Sequence, residues 1–152
     1  MPERHFRSAV TECERGYVPE PHANWQAQLR LRGRTGRLRA MVHWPGAPGA
    51  DRAPGLLVNL YDDPGSAGAQ GRELCARTGC VVVSMSGTAA VDEVLEVLGW
   101  ATDHTAELDA EPGTLAVTGK GRLAVDVVDR ARRNGWPPVV LLDSATLAVV
   151  IK

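Results

Sequence analysis

The segment from Thr114 to Arg133, TLAVTGKGRLAVDVVDRARR, constrains this chain more than any other. Leu115, Ala116 and Val117 form a short apolar run, and Gly119-Lys120-Gly121 follows as a tight turn. Leu123, Ala124, Val127, Val128 and Ala131 then recur at helical spacing, while Asp126, Asp129, Arg130, Arg132 and Arg133 take the opposite face. A buried strand that runs through glycines directly into an amphipathic helix is half of a βαβ unit. In an α/β protein, ligands and catalytic groups gather at that turn.

The flanking segments repeat the pattern. Gly55–Leu60 (GLLVNL) and Cys80–Met85 (CVVVSM) read as buried strands. Ala69–Thr78 reads as a helix stopped by Gly79, and Asp92–Leu108 as a long helix with Val94, Leu95, Leu98, Ala101 and Leu108 inward. Val139–Leu142 is the sixth expected strand. Ahead of these, Trp25–Arg32 and Leu38–Trp44 alternate apolar and polar residues around Gly33-Arg34-Thr35-Gly36. They are expected to pair as an antiparallel hairpin. The predicted order is a hairpin, then βα three times, then β: a mostly parallel sheet of about six strands with flanking helices. Residues 1–24, rich in charge and holding Pro19 and Pro21, read as a tail or cap, with a short helix over Arg4–Arg15. Residues 25–152 read as one domain.

Composition limits the function classes. A net charge of −1 over 152 residues gives no general attraction to nucleic acid or anionic membranes. The wealth of Ala, Gly, Val and Arg suggests a high-GC bacterial source. Cys13, Cys75 and Cys80 form no CxxC pair, and His5, His22, His43 and His104 are scattered, so neither a metal site nor a cofactor is expected. The N-terminus lacks an apolar signal region and no run reaches membrane-spanning length. The expectation is a soluble cytoplasmic protein.

Gly119-Lys120-Gly121-Arg122-Leu123 resembles the nucleophile elbow G-x-S-x-G of the α/β-hydrolase superfamily, with Gly121 in the serine position and Leu123 in that of the last glycine. Leu38–Pro45, Arg72–Ser84 and Val91–Glu111 resemble, in register, segments of its hormone-sensitive-lipase-like esterase branch, so the likeness runs from Trp25 to Asp143. It implies an α/β-hydrolase-like core, C-terminally truncated and without the catalytic motifs. Glycine has no side chain with which to attack. Tyr61-Asp62-Asp63-Pro64 stands where the family's His-Gly-Gly-Gly loop supplies oxyanion amides, and Pro64 has no N–H to donate. The family's acid and histidine lie beyond strand six, past the last residue given.

Several residues are candidates for other chemistry. Asp62, Asp63, Lys120 and Asp143 fall at expected strand ends and could do acid–base work, and a shared ligand should meet all four. Tyr61, Ser84, Ser86, Gly119, Gly121 and Ser144 are candidate ligand contacts. Each has a plainer reading: Asp-Asp-Pro-Gly is also a turn sequence, and a lysine in a turn is usually solvated. Three functions stay open. One is a catalytically degenerate small-molecule-binding or interaction protein. Another is a non-hydrolytic lyase, isomerase or cyclase of small-molecule or specialised metabolism. The third is a residual esterase using Ser84 or Ser86. Leu147–Ile151 (LAVVI) follows strand six too closely for a parallel crossover, so it must turn back or extend the strand. Its apolar edge predicts a homodimer through this C-terminal segment.

Overall fold

The computed structural model describes residues 7–8, 11–17, 25–33, 36–45, 55–63, 65, 67–106, 108, 110–111, 113, 115–119, 121–143 and 145–151. Within them, nine strands form one sheet: β1 (Arg7–Ser8), β2 (Thr11–Tyr17), β3 (Trp25–Gly33), β4 (Gly36–Trp44), β5 (Leu56–Tyr61), β6 (Val81–Ser86), β7 (Leu115–Gly119), β8 (Val139–Leu142) and β9 (Val149–Ile151). Their order across the sheet is β1-β2-β3-β4-β6-β5-β7-β8-β9. The helices are α1 (Ala67–Thr78), α2 (Val91–Asp103) and α3 (Arg122–Arg133).

The expected hairpin is present, with β3 and β4 paired antiparallel from Trp25↔Trp44 to Gly33↔Gly36. The turn residues Arg34 and Thr35, and the Pro/Gly stretch 46–54, lie outside the described residues. The parallel core β6-β5-β7-β8 follows from the apolar strands, since burial on both faces leaves no room for polar alternation.

Two expectations are corrected. Thr11–Tyr17 is not part of a helix: it pairs antiparallel with β3, Thr11↔Leu31 to Tyr17↔Trp25. The free edge of β3 offers backbone partners along its whole length. Thr11, Cys13 and Tyr17 suit a strand better than a helix. The second correction shortens the long helix. α2 ends at Asp103, where His104 stacks on Trp100 with ring centroids 4.6 Å apart and its Nδ1 lies 2.7 Å from the Trp100 carbonyl. His104 is therefore a capping residue and half-buried, rather than solvated. Leu108, as expected, is fully buried, and its carbonyl accepts a 2.7 Å bond from Trp44 Nε1.

The helix ends have local causes. Ala90 N–H donates to the Glu93 carboxylate at 2.8 Å, satisfying an orphan donor ahead of α2. Gly79 and Gly135, with φ of +69° and +74°, close α1 and α3 in a left-handed conformation that favours glycine. After β8 the chain turns back, and β9 pairs antiparallel with β8 through Leu141↔Ile151 and Leu142↔Val149. Of the two outcomes open to this segment, the hairpin is the one observed.

α2 and α3 cover one side of the sheet. Their buried residues Val94, Leu98, Val127 and Val128 join Val58, Val83 and Val117 in one cluster. α1 lies on the other side, where Leu74 and Cys75 meet Leu57 and Val82. Alternation along the strands sets this division.

Candidate functional site

β5 is the first parallel strand and sits in the middle. α1 leads from it to β6 on one side, and α2 carries the chain across to β7 on the other. Ligands of open α/β sheets bind where strand order reverses in this way, outside the carboxyl ends of the strands. The residues at those ends are Tyr61, Ser86 and Gly119, with Tyr61 in register with Ser86 and Leu60 with Gly119.

Gly119 is required by packing. A Cβ there would stand 2.9 Å from Leu60 Cβ and 3.2 Å from Leu60 O. Gly121 is required by conformation. It precedes α3 with φ 76° and ψ −160°, a backbone region almost confined to glycine. A Cβ built on it meets no heavy atom within 4 Å. The elbow thus presents position 121 to open space, and the residue there has nothing to present.

Of the four acid–base candidates, Asp62, Asp63 and Asp143 lie among the described residues, each in its own local setting. Asp62 is exposed and lies toward Gly87, whose N–H donates to Tyr61 O at 2.6 Å; a Cβ on Gly87 would be 3.4 Å from Asp62 Oδ1. Asp63 Oδ1 accepts the Gly65 N–H at 3.0 Å. Asp143 Oδ1 accepts the Ala145 N–H at 2.9 Å, and the Asp143 carbonyl accepts from Leu147, so this residue builds the β8–β9 turn. With β7 between β5 and β8, Asp62 and Asp143 end strands two spacings apart, roughly 10 Å at the backbone. Lys120, Ser144 and Pro64 lie outside the described residues. No group of three His, Cys, Asp or Glu side chains able to hold a metal occurs among the described residues.

The two serines differ. Ser86 is half-buried at the edge and shares a 2.7 Å hydrogen bond with Thr88 Oγ1. Ser84 is not at the edge: it is 1% exposed, beneath α1, and accepts a 3.3 Å bond from Asn59 Nδ2. It belongs to a buried polar row that sequence reading missed. Ser84, Asn59 and Thr118 stand in register on β6, β5 and β7, and Thr118 Oγ1 donates to Leu142 O at 3.0 Å. His43, fully buried on β4, lies beside the row. A signal was present in the triplets Leu57-Val58-Asn59, Val82-Val83-Ser84 and Ala116-Val117-Thr118, each placing one polar residue after two apolar ones in a buried strand.

Burial, helped by the Arg72 charge, holds the His43 pKa down from 6.5 to about 4. Burial, with the Cys80 thiol nearby, pushes the Cys75 thiol up to about 12. His43 is therefore neutral and Cys75 an inert protonated thiol at neutral pH. No described helix is long and apolar enough to cross a membrane.

No protein-family model and no curated protein matches the chain. Solved structures do. An esterase from the hyperthermophilic archaeon Pyrobaculum calidifontis matches 77% of this chain with 43% of its own, at 24% identity and a TM-score of 0.66. A thermophilic carboxylesterase from a metagenomic library matches 90% with 48%, at 22% identity and a TM-score of 0.58. A bacterial heroin esterase matches 89% with 44%, at 17% identity and a TM-score of 0.62. The chain spans less than half the length of each. At such identities the likeness is one of fold. With antiparallel strands leading into a parallel core flanked by three helices, the chain has an α/β-hydrolase-like core of the kind found in these esterases.

Proposed function

We propose that this chain is a catalytically degenerate α/β-hydrolase-like protein that binds a small molecule or a partner at the carboxyl ends of β5 and β7. The observation that carries the reading is Gly121: the elbow conformation is kept, the space above it is open, and no nucleophile stands there. Tyr61, Ser86, Gly119 and Gly121 are the contacts proposed for the ligand. The test is incubation with p-nitrophenyl esters and a fluorophosphonate probe. Neither turnover nor labelling is expected. Protein-dependent turnover with one labelled serine would instead favour a residual esterase, and mapping the label would distinguish Ser84 from Ser86.

A second reading is a non-hydrolytic lyase, isomerase or cyclase. It is favoured by Asp62, an exposed carboxylate at the end of the central strand. A metabolite whose conversion needs the chain, and stops in Asp62→Asn, would establish it.

Association with a second copy is proposed through β9. Val149 and Val150, 48% and 60% exposed, are the exposed large apolar residues among those described, and they share this edge strand. Light scattering at tens of micromolar should give a dimer, and Val150→Lys a monomer. A monomeric parent would refute this pairing.

A further inference from the structure

We propose that α1 is a hinged cover that opens as a unit, ahead of the rest of the fold, over His43, Ser84 and Asn59 of the polar row, and that His43 sets how readily it opens. Three independent observations converge on this helix.

The first is what α1 rests on. Its apolar contact with the sheet consists of Leu74 and Cys75 against Leu57 and Val82, with Cys80, Ala116, Leu142 and Leu147 at the margin. α2 and α3 together place ten buried residues against the opposite side. Elements with few buried apolar contacts open at lower free energy than the whole molecule.

The second is the surface below it. His43 is fully buried, and neither ring nitrogen has a hydrogen-bond partner among the described residues. A neutral imidazole carries one donor and one acceptor, and leaving both unpaired disfavours the closed state. Opening gives both nitrogens to water. The closed helix is therefore held against the cost of two unpaired ring nitrogens, whereas among the described residues α2 leaves one buried donor unpaired, Trp100 Nε1, and α3 none.

The third is the fit between them. Gly71 of α1 sits directly on the imidazole. A Cβ at this position would overlap His43 Nδ1, lie 2.7 Å from Cε1 and stand 3.2 Å from Ser84 Oγ. The ring and the glycine form a contact that closes only if both keep their size. At the helix ends, Gly79 adopts φ +69° and Gly65 stands in the loop leading in, so short pivots are available on both sides. The polar link from α1 to the far edge is exposed: Arg77 donates to Ala145 O at 3.2 Å.

Native-state amide hydrogen exchange on the full chain at neutral pH tests the proposal, comparing residues 72–78 with residues 126–133. The α1 amides are expected to exchange about tenfold faster or more. His43→Leu keeps volume and removes both unpaired nitrogens, so it should slow exchange in α1 severalfold and leave α3 unchanged. Gly71→Ala should speed α1 alone, and adding His43→Ala should restore it by making room for the new methyl. The double variant keeps the test usable if Gly71→Ala does not fold. Exchange of α1 and α3 at one common rate would overturn the proposal, as would faster α1 exchange in His43→Leu.

Discussion

Among the described residues, twenty-seven buried apolar residues form one cluster on the α2/α3 side of the sheet, whereas four form the cluster on the α1 side. The same strands supply both, because β5, β6 and β7 alternate. Val58, Val83 and Val117 face the large cluster, and Asn59, Ser84 and Thr118 face the other way. One side of the sheet therefore carries most of the hydrophobic stabilisation. The other combines a thin apolar patch with polar groups that need local partners. A parallel sheet must be covered on both faces, but the two covers need not be equally firm.

The comparison is broken most severely from the large side. Leu98 of α2 is fully buried, and Leu98→Ala should lower global stability by about 3–5 kcal/mol. Leu74→Ala, on α1, should cost about 2 kcal/mol because a thinly packed site can collapse. Urea denaturation of both variants checks this, and equal losses would erase the distinction between the faces.

Acid separates the faces next. The folded pKa of His43, about 4, lies below its ordinary 6.5, so the folded state prefers the neutral ring. This contribution is complete above pH 6.5, falls as the pH drops from 6.5 toward 4, and is flat below. The gap corresponds to about 3 kcal/mol. Stability of the parent should therefore fall more steeply over that window than stability of His43→Leu, in which the carboxylates titrate alike. Parallel curves would contradict it.

At the elbow between the two sides, Gly121→Ser should cost about 1 kcal/mol or more, through backbone conformation alone, since the side chain meets open space. The variant should fold and remain inactive on p-nitrophenyl esters. A gain of esterase activity would reveal a base able to activate the serine. The smallest effect belongs to the pair between α2 and α3: Arg130 Nη1 and Asp92 Oδ1 are 3.3 Å apart, with side chains 45% and 81% exposed. Arg130→Ala should change stability by about 0.5 kcal/mol or less in thermal denaturation.

Most of the fold was legible. β3 through β8, α1 and α3 fall within a few residues of where periodicity places them, and α2 begins there but ends five residues early, because a buried strand and a one-faced helix impose periods that the order of residues displays directly. β2 was not legible: Thr11–Tyr17 is charged, and only pairing with β3 makes it a strand. The site was legible in part. Tyr61, Asp62, Ser86, Gly119 and Gly121 lie at the strand ends expected of them. Ser84 lies beneath α1, Asp63 and Asp143 close their own turns, and His43 was passed over as a scattered histidine.

The sequence by itself determined the run of strands and helices, the glycine elbow and the absence of a side chain at 121, since these depend on residue type and local spacing. Tertiary structure alone decided that Ser84, Asn59 and Thr118 share a row, that His43 lies against Gly71, and that Asp62 and Asp143 are divided by β7. Those relations join residues from 25 to 81 positions apart and arise from strand order and register. The alternation of each strand is visible along the chain, but which strands become neighbours depends on the free energy of the whole sheet.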